Sequence, residues 1–91
     1  MQDPVLDLTQ QLVAQPSVTP HDAGCQALLA ERLKAQGCTV QSRPFGEVDN
    51  LWATHGLGAP VVVLAGHTDV GPTGPEGQWQ SPPFTPTHRD E

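Results

Sequence analysis

The residues best suited to chemistry are His67 and Asp69, in the segment Ala-Gly-His-Thr-Asp at residues 65–69. They follow an apolar run at residues 60–65, and in α/β sheets ligands gather beyond the carboxyl ends of strands. In an extended segment, side chains two residues apart lie on the same side, so both can point into one pocket. A neutral imidazole binds zinc, and its other ring N–H usually meets a carboxylate or carbonyl. The pattern favours His67 as a metal ligand beside Asp69, with a chance His-x-Asp triplet as the open alternative.

The other residues with chemical potential lack a supporting pattern. His21, His55 and His88 are interpreted as surface residues, because none stands in a zinc-ligand spacing such as His-Glu-x-x-His. Cys25 and Cys38 lie in apolar patterns and are expected to be buried, reduced residues. The sequence contains no Gly-x-Ser-x-Gly motif and no phosphate-binding glycine loop, so serine hydrolases and nucleotide-binding proteins have no support.

Two helices are predicted before the segment that carries His67. Asp3 and Pro4 form a helix start, with an acidic N-cap and proline at the first helical position. Pro16 ends this helix. A second helix is predicted over about residues 20–36, with Thr19 as its N-cap.

Three strands are predicted after the helices, at residues 38–42, 48–54 and 60–65. The third is continuously apolar, which suits a strand covered on both faces. Helices followed by strands indicate an α/β layered domain. The two helices supply too little cover for such a strand, so the sequence has the character of a truncation. Residues 70–91 contain five prolines and three glycines and are predicted to be a loop-rich tail.

Composition excludes several classes of partner. The 91 residues carry 10 acidic and 4 basic side chains, a net charge of -6, which argues against a nucleic-acid or anionic membrane surface. No apolar run approaches the roughly 18 residues of a membrane span. The first basic residue is Arg32, so the start of the chain lacks a secretory signal pattern. The cytoplasm is therefore the expected compartment.

Residues 63–70, Val-Leu-Ala-Gly-His-Thr-Asp-Val, resemble the first metal-ligand motif of the zinc aminoacylase and carboxypeptidase superfamily. Residues 16–26, 48–53 and 72–86 are similar to the branch of that superfamily that removes succinyl groups from amines. The resemblance implies that His67 binds one of two zinc ions and that Asp69 is a catalytic residue beside it. Cobalt is also possible, because sites of histidine and carboxylate accept several metals.

The resemblance also carries expectations about the whole protein. Residues 1–91 would be the amino-terminal part only of a layered, zinc-peptidase-like α/β catalytic domain, and that domain would be incomplete. The intact enzyme would be a homodimer that hydrolyses the amide of a small-molecule substrate. The family's remaining metal ligands and its glutamate general base lie downstream and are absent from this sequence, so these residues alone are expected to be inactive. The alternatives are a related deacetylase or zinc carboxypeptidase, and a non-catalytic fragment or gene remnant.

Overall fold

The computed structural model describes residues 3–89 of the chain. In chain order it contains helix α1 (Pro4–Val13), helix α2 (Cys25–Ala35), strands β1 (Thr39–Ser42) and β2 (Leu51–Thr54), and a short 3-10 helix at Glu76–Gln78. Helices and strands are therefore mixed, as the α/β prediction requires. No helix in the described range is long and apolar enough to cross a membrane.

Helix α1 begins where the sequence predicted. The Asp3 carboxylate accepts hydrogen bonds from the backbone N–H groups of Val5, at 2.9 Å, and Leu6, at 3.3 Å. Pro4 occupies the first turn, where its missing N–H costs nothing. The helix ends at Val13, before Pro16. Asp7 on α1 pairs with Arg32 on α2 at 3.4 Å, which links the two helices at the surface.

Helix α2 begins later than predicted, at Cys25 and not near residue 20. The reason lies in the two preceding residues, because Ala23 has a φ of 55° and Gly24 a φ of 94°. These left-handed conformations cannot continue a right-handed helix. Asp22 still satisfies the helix start, since its carboxylate accepts the N–H of Gln26 at 3.1 Å.

Strands β1 and β2 form an antiparallel pair in which Thr39 lies opposite Thr54 and Ser42 opposite Leu51. Both strands are shorter than the predicted ranges of 38–42 and 48–54. Two hydrogen bonds between the backbones of Phe45 and Val48, at 2.7 and 3.1 Å, shape the connection between them. The predicted switch from helical to strand period is therefore confirmed.

The third predicted strand, at residues 60–65, is wrong for the described part of the chain. This segment belongs to no strand, and the described sheet has two strands only. Four successive side chains remain exposed: Val61 at 77%, Val62 at 82%, Val63 at 68% and Leu64 at 93%. A strand requires a hydrogen-bonded neighbour, and no segment within residues 3–89 pairs with this one. The apolar pattern indicates a preference for burial, but it cannot supply the partner.

The described residues have almost no core. Only Cys25, 1% exposed, and Ser17, 2% exposed, are buried among them. The accessible surface is 7379 Å², whereas a compact protein of this mass exposes about 5,100 Å². The radius of gyration is 15.6 Å, against about 12 Å for a compact chain of this length. The elements are therefore formed locally, while most apolar surface stays in contact with solvent.

Candidate functional site

The side chains of His67 and Asp69 meet, as their spacing predicted. The His67 Nδ1 atom lies 2.9 Å from Asp69 Oδ1 and 3.0 Å from the Asp69 backbone oxygen. The His67 side chain is 82% exposed and that of Asp69 43% exposed. The pair is thus exposed at the surface. Asp69 holds the Nδ1 edge of the imidazole, and the Nε2 edge is directed away from the carboxylate.

Thr19 completes this cluster from a distant part of the sequence. Its hydroxyl donates a hydrogen bond of 2.6 Å to Asp69 Oδ2, the carboxylate oxygen that His67 does not use. This bond is the main cause that lowers the pKa of Asp69 below its ordinary 3.8. Partial desolvation of the carboxyl group raises that pKa, and the contact with His67 lowers it further. Asp69 is therefore an ionised carboxylate at neutral pH.

An ionised Asp69 determines which nitrogen of neutral His67 carries the proton. A carboxylate can only accept hydrogen bonds, so Nδ1 must donate and the lone pair must lie on Nε2. The Nε2 atom makes no hydrogen bond with any of residues 3–89. An imidazole oriented by a carboxylate in this way is the usual form of a metal-binding histidine. The donor chemistry of His67 therefore fits a metal ion.

The other ligands of such an ion are not assembled by the described residues. Nowhere in residues 3–89 do three or more His, Cys, Asp or Glu side chains come together in a group that could hold a metal. Zinc sites in proteins use three or four protein ligands. A metal site at His67 would accordingly need further ligands.

Backbone contacts hold Thr19 beside the segment that carries His67. The buried Ser17 hydroxyl donates to the Thr68 carbonyl at 2.8 Å. The N–H of Thr19 donates to the Val70 carbonyl at 3.0 Å, and the N–H of Val70 donates to the Ser17 carbonyl at 2.9 Å. The two backbone hydrogen bonds form a parallel bridge centred on Val18 and Val70. The two segments are thus fixed to each other although about 50 residues separate them in sequence.

A cavity of about 490 Å³ lies beside the His67–Asp69 pair, with a volume in the range of small-molecule sites. Its walls come from the end of α1, the start of α2, the loop before β2 and residues 66–69. Gln26 on α2 donates to the Asp49 carbonyl at 2.6 Å and so joins two of these walls. The polar residues that line this cavity include His21, Asp22, Asn50, His67 and Asp69.

The described part of the tail, residues 70–89, also comes close to His67. Apart from the 3-10 helix it forms turns and loops among its described residues. The Trp79 indole donates to the Thr73 carbonyl at 3.0 Å. Trp79 and Phe84 line a second cavity, of about 450 Å³, which also reaches His67 and the buried Cys25.

Sequence reasoning missed Ser17 and Thr19. Thr19 was interpreted as the N-cap of the second helix, which is wrong because its hydroxyl bonds to Asp69 and the helix starts at Cys25. No pattern in a single sequence could have paired Thr19 with a residue about 50 positions away. Among the other histidines, His21 is exposed and lines the first cavity, while His55 and His88 are exposed and line neither cavity.

A histidine oriented by a carboxylate, with its second nitrogen available, is suited to bind a metal ion or to act as a base. Comparison with known sequences adds independent information on this chain.

No protein-family model matches the chain. It is 69% identical over 86 residues to the succinyl-diaminopimelate desuccinylase of Stenotrophomonas maltophilia (strain K279a), a match covering 94% of this chain and 23% of that protein. It is 65% identical over 86 residues to the desuccinylase of Xanthomonas oryzae pv. oryzae (strain PXO99A), with the same two coverages. It is 60% identical over 90 residues to that of Xanthomonas campestris pv. campestris (strain B100), covering 99% of this chain and 24% of the relative.

These matches confirm the resemblance carried by residues 63–70 and the segments around them. The similarity extends over nearly all of the chain. The chain spans about a quarter of the length of these curated relatives.

Proposed function

We propose that this chain is the amino-terminal portion of a metallohydrolase catalytic domain, residues 70–91 being its loop-rich tail. The complete protein, called the full-length protein below, would convert N-succinyl-LL-2,6-diaminopimelate and water to succinate and LL-2,6-diaminopimelate in lysine biosynthesis. The observation that carries this proposal is the 60–69% identity to succinyl-diaminopimelate desuccinylases over 94–99% of the chain. The full-length protein would act in the cytoplasm as a homodimer, without nucleic-acid or membrane partners.

Within this function, His67 would ligate one of two zinc ions, or cobalt in their place, through Nε2. Asp69 would hold the ring in the required orientation by accepting a hydrogen bond from Nδ1–H, and would assist catalysis from beside the ligand. When bound, the metal ions would supply a Lewis acid for the amide carbonyl and would lower the pKa of water. The remaining ligands and the general base would come from residues outside the described part of this chain.

The 91 residues alone are proposed to lack hydrolase activity. Hydrolysis of an amide at a metal centre needs several ligands and a base that activates water. The described residues contribute one oriented histidine and no group of three potential ligands. Metal-dependent release of succinate by the purified 91-residue chain would contradict this proposal.

The decisive assay compares two substrates with the full-length protein. We expect metal-dependent cleavage of succinyl-diaminopimelate and much slower cleavage of acetylornithine. Replacing His67 by alanine should abolish the activity, whereas His55→Ala, at an exposed histidine outside both cavities, should leave it intact. Preference for acetylornithine would assign the protein to a related deacetylase, and activity that survives loss of His67 would contradict the proposed site.

A further inference from the structure

We propose that Thr19 is a positioning residue of the metal site, whose hydroxyl fixes the Asp69 carboxylate so that Asp69 can orient His67. The inference rests on the proposed function, since it assumes that His67 binds metal. It extends that function to a residue about 50 positions away in sequence.

Both oxygens of the Asp69 carboxylate are engaged. Asp69 uses one oxygen for His67, at 2.9 Å, and the other for Thr19, at 2.6 Å. A carboxylate held at one oxygen can still turn about its bond to the side chain, whereas one held at both cannot. Among residues 3–89, Thr19 supplies the only side-chain hydrogen bond to Asp69 Oδ2. The Thr19 hydroxyl therefore removes the rotation that would let Asp69 leave His67.

Thr19 is itself held in place by backbone hydrogen bonds. Its backbone N–H bonds to the Val70 carbonyl, and Ser17, two residues earlier, bonds to both Thr68 and Val70. Ser17 is 2% exposed, so this part of the contact is shielded from water. The hydroxyl thus comes from a segment already fixed against the one it orients. Functional groups need such support, because small displacements weaken a metal site.

The side chains of His67 and Asp69 are exposed to solvent to different degrees, and His67 is the more exposed. The His67 side chain is 82% exposed, so packing does little to restrict its ring. Two contacts of Nδ1 restrain that ring among the described residues: one with the Asp69 backbone oxygen, at 3.0 Å, and one with the Asp69 carboxylate, at 2.9 Å, which Thr19 holds from its other oxygen. Removing the outer partner of a metal-binding histidine lowers metal affinity by about 10–100-fold. Loss of the Thr19 hydroxyl should act in the same direction through Asp69.

The test uses the full-length protein with Thr19→Val, which keeps the shape but removes the hydroxyl, and Thr19→Ser, which keeps the hydroxyl. Thr9→Val is the matched control, because the Thr9 hydroxyl is also exposed and bonds within α1 to the Val5 carbonyl. Zinc affinity is measured by competition with a chelator. The imidazole ¹⁵N shifts of His67, recorded without metal, report which ring nitrogen carries the proton.

We expect Thr19→Val to weaken binding of one zinc ion by about 10–100-fold and to move His67 toward a mixture of tautomers. Thr19→Ser should restore both properties, and Thr9→Val should change neither. Wild-type zinc affinity and an unchanged His67 tautomer in Thr19→Val would overturn the role of Thr19.

His67→Ala separates this failure from failure of the proposed function. If His67→Ala loses a zinc ion while Thr19→Val keeps it, only the inference about Thr19 falls. If His67→Ala binds zinc as tightly as the wild type, the proposed site falls and the role of Thr19 falls with it.

Discussion

Substitutions in the exposed apolar segment at residues 60–65 should affect stability very differently in the 91-residue chain and in the full-length protein. Val62 is 82% exposed and Leu64 93% exposed, so neither side chain gains much from burial in this chain. The double substitution Val62→Ser and Leu64→Ser should therefore change the stability of the 91-residue chain by less than about 0.5 kcal/mol. In the full-length protein, we expect further residues to cover this segment. Complete burial of each side chain contributes about 1.5–3 kcal/mol, so the double substitution there should cost about 3–6 kcal/mol.

The assay compares both proteins before and after the substitution. For the 91-residue chain we expect an unchanged far-UV circular dichroism spectrum, weaker binding of a hydrophobic dye and less aggregation, because contiguous exposed apolar surface promotes both. Leu57→Ser is the control, since Leu57 is fully exposed outside the apolar run and should affect dye binding little. For the full-length protein we expect a clear loss of stability in urea.

Two results would refute this reasoning. If the double substitution removed the helical signal of the 91-residue chain, residues 60–65 would already support its structure. If the full-length protein kept its urea midpoint, the segment would not be buried there.

Two further predictions concern the cluster around Asp69. Ser17→Ala removes a buried hydrogen bond to Thr68 worth about 1 kcal/mol. Amide exchange at Val70 should therefore become about fivefold faster in that variant. Unchanged exchange would show that Ser17 does not fix the bridge between Val18 and Val70. Because the pKa of Asp69 is lowered, its contribution to stability should be fully present above pH 3.8 and lost as the pH falls through its lower folded value. A carboxyl ¹³C titration of Asp69 should thus give a midpoint below pH 3.8 in the wild type. The midpoint should rise in Thr19→Val, because that variant lacks the contact that lowers the pKa most. A wild-type midpoint at or above 3.8 would contradict the structure.

The sequence predicted those elements whose causes are local. The Asp3–Pro4 start of α1 depends on a side chain and the N–H groups two and three residues away, so the sequence shows it directly. The change from helix to strand after Gly37 is also local, because glycine there adopts a φ of 91° that other residues avoid. His67 and Asp69 are two residues apart, and their contact followed from the geometry of extended chains.

The features that the sequence did not predict depend on distant partners. The segment at residues 60–65 has the composition of a buried strand, but strand formation requires a neighbour that residues 3–89 do not provide. The start of α2 was misplaced because Ala23 adopts a positive φ, which nothing in its residue type indicates. Thr19 was missed because the partner of its hydroxyl lies about 50 residues further along the chain.

Whether His67 is a metal ligand held in position by Asp69 can be seen in a crystal structure of the full-length protein. Diffraction data collected at the zinc absorption edge would locate the metal independently of the protein atoms. We expect a zinc ion at about 2.0–2.1 Å from His67 Nε2, with Nδ1 still bonded to Asp69. Zinc bound at other residues, with His67 Nε2 facing only water, would contradict it.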